Sequence, residues 1–158
     1  MSSSAGPLAL VVVALALGLP LSEGASERTV ERSYFAHLAT PGAPSSDAVR
    51  TGNTLYLAGH LGLDPATGEA PPDSASEARL LMQGIERTMA GAGFRVDDLV
   101  AVTVFSTDAG LNGTFNAVYE SYFHHRYPAR SFVGASTLQH GAHFEVAAIA
   151  VRAGHLQL

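Results

Sequence analysis

The sequence predicts an α+β domain, a mixed sheet with two helices packed on one face, in the order β-β-α-β-α-β-β. Three observations carry that expectation. Two stretches place apolar residues at helical spacing, several short runs are rich in β-branched and apolar residues, and glycine- or proline-bearing turns separate them. At 158 residues the chain has the length of one domain and can bury a core without crosslinks.

Residues 1–24 read as a signal peptide. Leu8 to Leu19 is an apolar run, Pro20 follows, and Ser22 and Gly24 supply the small residues of a cleavage site. The run is shorter than the roughly 20 residues a membrane span needs. No Lys or Arg precedes it, so an uncleaved apolar anchor and a start codon placed too early stay open as alternatives. Export, periplasmic or secreted, is the expectation, with any membrane attachment confined to this segment. Residues 25–46 are polar and carry Pro41, Gly42 and Pro44, which suits an extended arm rather than a core element. The folded domain is expected over 47–154.

Within that domain, Ala48 to Thr51 and Thr54 to Gly59 flank Gly52-Asn53 and read as a β-hairpin. Pro71-Pro72-Asp73-Ser74 opens a helix in which Leu80, Leu81, Ile85, Thr88 and Met89 recur at helical spacing until Gly91 and Gly93 end it. Val100 to Ser106 reads as a central strand. A second helix carries Leu111, Phe115, Val118, Tyr119, Tyr122 and Phe123, and Pro128 is expected to close it, because the residue before a proline avoids the α region. Ser131 to Ser136 and Phe144 to Val151 complete the strands. The last is apolar on both sides although helices cover only one face, which points to a second subunit over the other.

Composition removes several classes of function. There is no cysteine, so disulfides, thiolate zinc sites and cysteine nucleophiles are excluded. Nine basic against 14 acidic side chains, with no basic run, argue against a nucleic-acid partner. His124-His125 and His140-Gly141-Ala142-His143 lack helical ligand spacing beside a carboxylate, so no metal is expected and these rings read as solvated. Gly134-Ala135-Ser136-Thr137-Leu138 lacks the last glycine of a nucleophile elbow.

Two residues break the pattern. Arg130 lies in Tyr127-Pro128-Ala129-Arg130-Ser131, between a helix and a strand, where a guanidinium can hold a carboxylate through two parallel hydrogen bonds; pairing with a nearby surface acid is the alternative. Glu145 is the one acid in an apolar strand, where burial is costly unless it is paired or hydrogen-bonded. It suits proton transfer, and equally an ion pair or hydrogen bond across a subunit interface.

The chain resembles the RidA (reactive intermediate deaminase, YjgF-like) family from about Leu38 to Ala153. The resemblance rests on an ordered set of motifs: Leu55-Tyr56-Leu57-Ala58-Gly59-His60-Leu61-Gly62-Leu63-Asp64-Pro65, Ala92-Gly93, Asp98-Leu99-Val100, Thr103-Val104-Phe105, Asn116-Ala117-Val118-Tyr119, Pro128-Ala129-Arg130-Ser131, and Glu145 ahead of Ala148-Ile149-Ala150-Val151. It implies a chorismate-mutase-like two-layer domain, a homotrimer with a cleft between neighbouring subunits, and cofactor-free hydrolysis of 2-imino acids or their enamine tautomers to 2-keto acids and ammonia. It also implies that Arg130 binds the substrate carboxylate, that Glu145 positions the water, and that Gly59, Asn116 and Phe132 line the cleft. The small-molecule partner would be a 2-imino or 2-keto acid. The family's usual tyrosine is replaced by Ser45, and its common Ser-Gly-Gln reads Ala58-Gly59-His60. A non-catalytic trimer that binds small carboxylates in the same cleft is the alternative function.

Overall fold

The computed structural model of the chain describes residues 31–36, 44–124 and 126–153. The signal-peptide segment lies outside them, as do Pro41, Gly42 and His125. One mixed sheet contains β1 (Arg32–Phe35), β2 (Ala48–Thr51), β3 (Thr54–Leu61), β4 (Leu99–Ser106), β5 (Ala129–Gly134) and β6 (Phe144–Val151), in the spatial order β1-β2-β3-β6-β4-β5. Among the described strands only β4 and β5 pair in parallel. Helices α1 (Ser74–Gly91) and α2 (Asn112–Tyr119) pack on one another and on one face of this sheet.

The local causes are largely those read from the sequence. Thr51 pairs with Thr54 across Gly52-Asn53, and Gly52 takes the positive φ of 56° that the tight hairpin requires. Asp73 caps α1 by accepting from the Ser76 N–H at 2.9 Å. The apolar stripe Ala78, Leu81, Met82, Ile85 and Met89 then buries itself against Leu55, Leu57, Val146 and Ala148. Phe115 of α2 joins the two layers, its ring 5.0 Å from that of Phe144.

Three expectations need correction. Part of the polar arm is a core-sheet element after all: Arg32–Phe35 adds to β2 as an edge strand, and its short Arg-Ser-Tyr-Phe alternation is too brief to stand out by periodicity. The second helix is not closed by Pro128. It ends at Tyr119 and runs into a single 3₁₀ turn, Glu120–Tyr122, where the Ser121 hydroxyl donates to the Val118 carbonyl and competes with the helical ladder. The following strand covers Ala129–Gly134 rather than 131 to 136, so Arg130 lies inside an edge strand instead of at its mouth.

Among the described residues the second sheet face carries no helix. Its rows include Glu145, Ala147 and Ile149 of β6, Thr103 and Phe105 of β4, and the exposed Tyr56, Val133 and Val151.

Candidate active site

Arg130 is built into α2 from beneath. Parallel pairing sets it beside Val102, on the helix-covered face, and there three residues of α2 meet it. Its Nη2 donates to Asn116 Oδ1 at 2.7 Å. Its guanidinium carbon lies 4.8 Å from the centroid of the Tyr119 ring and 6.0 Å from that of Phe115. The spacing 115, 116, 119 explains this: residues one turn apart share a helix face, so two rings and an amide reach the same point. No acid pairs with Arg130 among the described residues, which sets aside the surface ion pair and leaves most of the guanidinium's five N–H groups for a ligand.

Tyr119 pays for its position. It is almost fully buried, and its hydroxyl has no hydrogen-bond partner among the described residues. Burial pushes its pKa up to about 12, with the positive charge of Arg130 opposing that rise.

Glu145 is set up by β3. A register shift between Leu57 and His60 turns Gly59 toward the open sheet face, and Leu61 pairs with Glu145. A Cβ on Gly59 would stand 1.8 Å from Glu145 Oε1, so the carboxylate occupies space that only glycine leaves free. Glu145 is partly buried, and its carboxylate makes no hydrogen bond or ion pair among the described residues.

The five residues therefore divide into two groups. Arg130, Asn116 and Phe132 stand together on the helix-covered face, where the Phe132 ring lies 6.2 Å from that of Phe115. Glu145 and Gly59 stand together on the open face, in the row that Phe105 and Val133 continue. One chain does not bring the two groups to a common pocket. A groove of about 510 Å³ between α1 and α2, lined by Arg79, Gln83, Thr114 and Tyr122 among others, includes neither group.

Two histidines do structural work instead. His60, in place of the family's glutamine, points into the core, with Nδ1 2.9 Å from the Ala58 carbonyl and Nε2 3.0 Å from Thr88 Oγ1. His143 is not simply solvated: its Nδ1 pairs with the fully buried Glu77. Sequence reasoning passed over Glu77 and Tyr119. The signal for Glu77 was available, because it falls four residues before Leu81 and eight before Ile85 on the buried stripe of α1. Tyr119 looked like core alone, and only the tertiary approach of Arg130 gives it a further role.

The endoribonuclease L-PSP family model matches residues 36–152. The 2-iminobutanoate/2-iminopropanoate deaminase of Escherichia coli is 36% identical over 123 residues, which cover 73% of this chain and 96% of that protein. Among solved structures, the YjgF gene product of E. coli matches with 35% identity and a TM-score of 0.70, over 77% of this chain and 99% of that one. E. coli TdcF, solved with bound serine, matches with 33% identity and a TM-score of 0.70, over the same shares. The fold is thus the chorismate-mutase-like α+β arrangement of those proteins.

Proposed function

The chain belongs to the RidA family, that of the endoribonuclease L-PSP model, and from that premise we propose that it hydrolyses 2-imino acids, or their enamine tautomers, to 2-keto acids and ammonia. Support comes from relatives named as imine deaminases and from the TdcF structure with bound serine, itself a small carboxylate. The observation that carries the reading is Arg130, held by Asn116 and two aromatic rings with no acid to neutralise it among the described residues. Ribonuclease chemistry, suggested by the family model's name, fits poorly with 9 basic against 14 acidic side chains.

In this reading the Arg130 guanidinium grips the substrate carboxylate through paired hydrogen bonds. The iminium carbon is already electrophilic, so the site has only to orient it against water. Glu145 accepts a proton as the water oxygen bonds to C2, giving a carbinolamine. Glu145 then returns that proton to the amino nitrogen, the C–N bond breaks, and ammonia leaves as the hydroxyl gives its own proton to the Glu145 carboxylate and becomes the keto group. Each substrate yields one keto acid and one ammonia for one water consumed.

In this reading the working cleft lies between copies, Arg130 with Asn116 and Phe132 from one and Glu145 with Gly59 from its neighbour, and the separation of Arg130 from Glu145 within one chain supports it. A homotrimer that buries the bare sheet face, with Tyr56, Val133 and Val151 in the contact, fits this division. Residues 1–24 would direct the chain out of the cytoplasm before it assembles.

The test is ammonia release from freshly generated 2-iminopropanoate, with and without a mixture of two inactive variants. Arg130→Ala and Glu145→Ala are each expected to be inactive. Unfolded and reassembled together in equal amounts, they should recover roughly one quarter of wild-type activity, because a random trimer pairs an intact Arg130 with a neighbouring intact Glu145 at one cleft in four. No recovery would place both residues in one chain's site. Binding of 2-oxobutanoate through Arg130 without turnover by the wild type would establish the non-catalytic alternative.

A further inference from the structure

We propose that Glu77 is a positioning residue that holds Glu145 over Gly59, an inference that rests on the catalytic reading of Glu145. Glu77 is fully buried, and its carboxylate does not serve its own helix, whose cap is Asp73. Its Oε1 accepts from two successive backbone N–H groups, those of His143 at 2.7 Å and Phe144 at 2.8 Å, and its Oε2 pairs with His143 Nδ1. A buried carboxylate that receives donors on both oxygens fixes whatever bears them, here the two residues immediately before Glu145.

The opposite side of Glu145 is tied to the same helical turn. Leu61 pairs with Glu145, and at the next residue a Cβ on Gly62 would lie 2.1 Å from the Glu77 carbonyl oxygen, so β3 presses on the backbone of Glu77 just where it leaves the sheet. The His143 carbonyl also accepts from the Thr107 N–H at 3.1 Å, which joins the end of β4 to the same junction. Glu145 thus lies between two strands whose ends are both set by Glu77, while Arg130 makes no hydrogen bond to this junction and meets it only through the Phe115 ring, which packs on Phe144. Displacement of the start of β6 would move the water-placing carboxylate directly and reach the carboxylate-binding half only through that ring.

Kinetics of Glu77 variants in the full-length, assembled protein test this, with 2-iminopropanoate turnover and 2-oxobutanoate binding as separate readouts. Glu77→Ala should lower kcat roughly ten- to hundredfold, the scale of a misplaced catalytic group. KM and the Kd for 2-oxobutanoate should stay within about twofold, since Arg130 is untouched. Glu77→Asp, with a carboxylate one methylene short, carries the same expectation and replaces Glu77→Ala if the latter does not fold. Glu77→Gln keeps an oxygen for both N–H groups and should hold kcat within about threefold. The proposal is overturned by a folded Glu77→Ala or Glu77→Asp with kcat near wild type, by keto-acid affinity that falls in step with kcat, or by a larger loss in Glu77→Gln, which would put the effect in the charge. A wild type that binds 2-oxobutanoate but makes no ammonia overturns the catalytic reading, and this inference with it.

Discussion

Replacing Gly59 by alanine separates the chemistry of Glu145 from the stability of the fold. The new Cβ would stand 1.8 Å from Glu145 Oε1 and 2.8 Å from its carboxyl carbon, while ordinary contact begins near 3.4 Å, so the carboxylate oxygen must retreat by about 1.6 Å. The three atoms nearest the methyl group all belong to the flexible Glu145 side chain, and the backbone φ of Gly59 lies outside the left-handed region. The fold should therefore tolerate the change, with a melting temperature equal to or slightly above wild type, because alanine restricts the unfolded chain by about 0.5–1 kcal/mol relative to glycine. Turnover should not tolerate it. A misplacement of about 1 Å costs on the order of a hundredfold, so kcat for 2-iminopropanoate should fall by about that factor, some 2.7 kcal/mol of barrier. Ammonia release at saturating substrate measures the loss, and calorimetric unfolding measures the stability. A Gly59→Ala protein with kcat within threefold of wild type would refute the placement of Glu145 at the reacting carbon, and one that melts far below wild type would refute the separation.

Other perturbations address the remaining parts. Arg130→Lys keeps the charge but loses the planar fork, so kcat/KM should drop roughly tenfold or more, mainly through KM, in steady-state kinetics. Gly62→Ala meets backbone rather than a side-chain tip, at 2.1 Å from the Glu77 carbonyl oxygen, and should destabilise by about 1–3 kcal/mol in urea unfolding. Tyr119 has a folded-state pKa of about 12 against an ordinary 10.0, so the folded protein retains its proton where the unfolded chain has lost it. Its contribution is intact below pH 10 and is lost as pH rises toward 12. Two pKa steps correspond to about 2.7 kcal/mol at most, and solvent screening brings the expected loss to about 1–2 kcal/mol. Tyr119→Phe should flatten that alkaline slope while leaving neutral-pH stability unchanged or improved, since it deletes a buried hydroxyl without a partner; an unchanged slope in pH-dependent unfolding would contradict the assignment.

Much of the fold was legible because its signals are local. The Gly52-Asn53 hairpin, the stop of α1 before Gly93 and the apolar run of β6 each depend on a few adjacent residues. The end of α2 was not legible, because Pro128 is a loud breaker and Ser121 a quiet one; the hydroxyl bond to Val118 acts first. β1 escaped for the opposite reason, a strand made by its partner β2 rather than by its own composition. At the site, motif order located Arg130 and Glu145 but could not give their faces. That required the register of β5 on β4 and of β6 on β4, which is tertiary information. The roles of Glu77 and His60 were hidden likewise, since a buried polar group is recognised by its partners, and those lie 66 and 28 residues away.

The register also explains why the proposed reaction would depend on assembly. Arg130 is in line with Val102 and Ala148, and Glu145 with Phe105 and Val133. Strand alternation assigns these rows to opposite faces, so no rotamer of either side chain closes the gap; only a one-residue slip would, and it would expose the core row of Val104 and Val146. A single chain in this fold accordingly keeps the Arg130 and Glu145 groups on opposite sheet faces. If the cleft forms between copies, specific activity must fall on dilution in step with the loss of the oligomer, even while each subunit stays folded. The half-site around Arg130 has a different dependence, because Asn116, Phe115 and Tyr119 all come from the same chain. Weak binding of a 2-keto acid should therefore persist in the dissociated subunit after turnover has gone, and loss of binding in step with turnover would refute a cleft shared in this way.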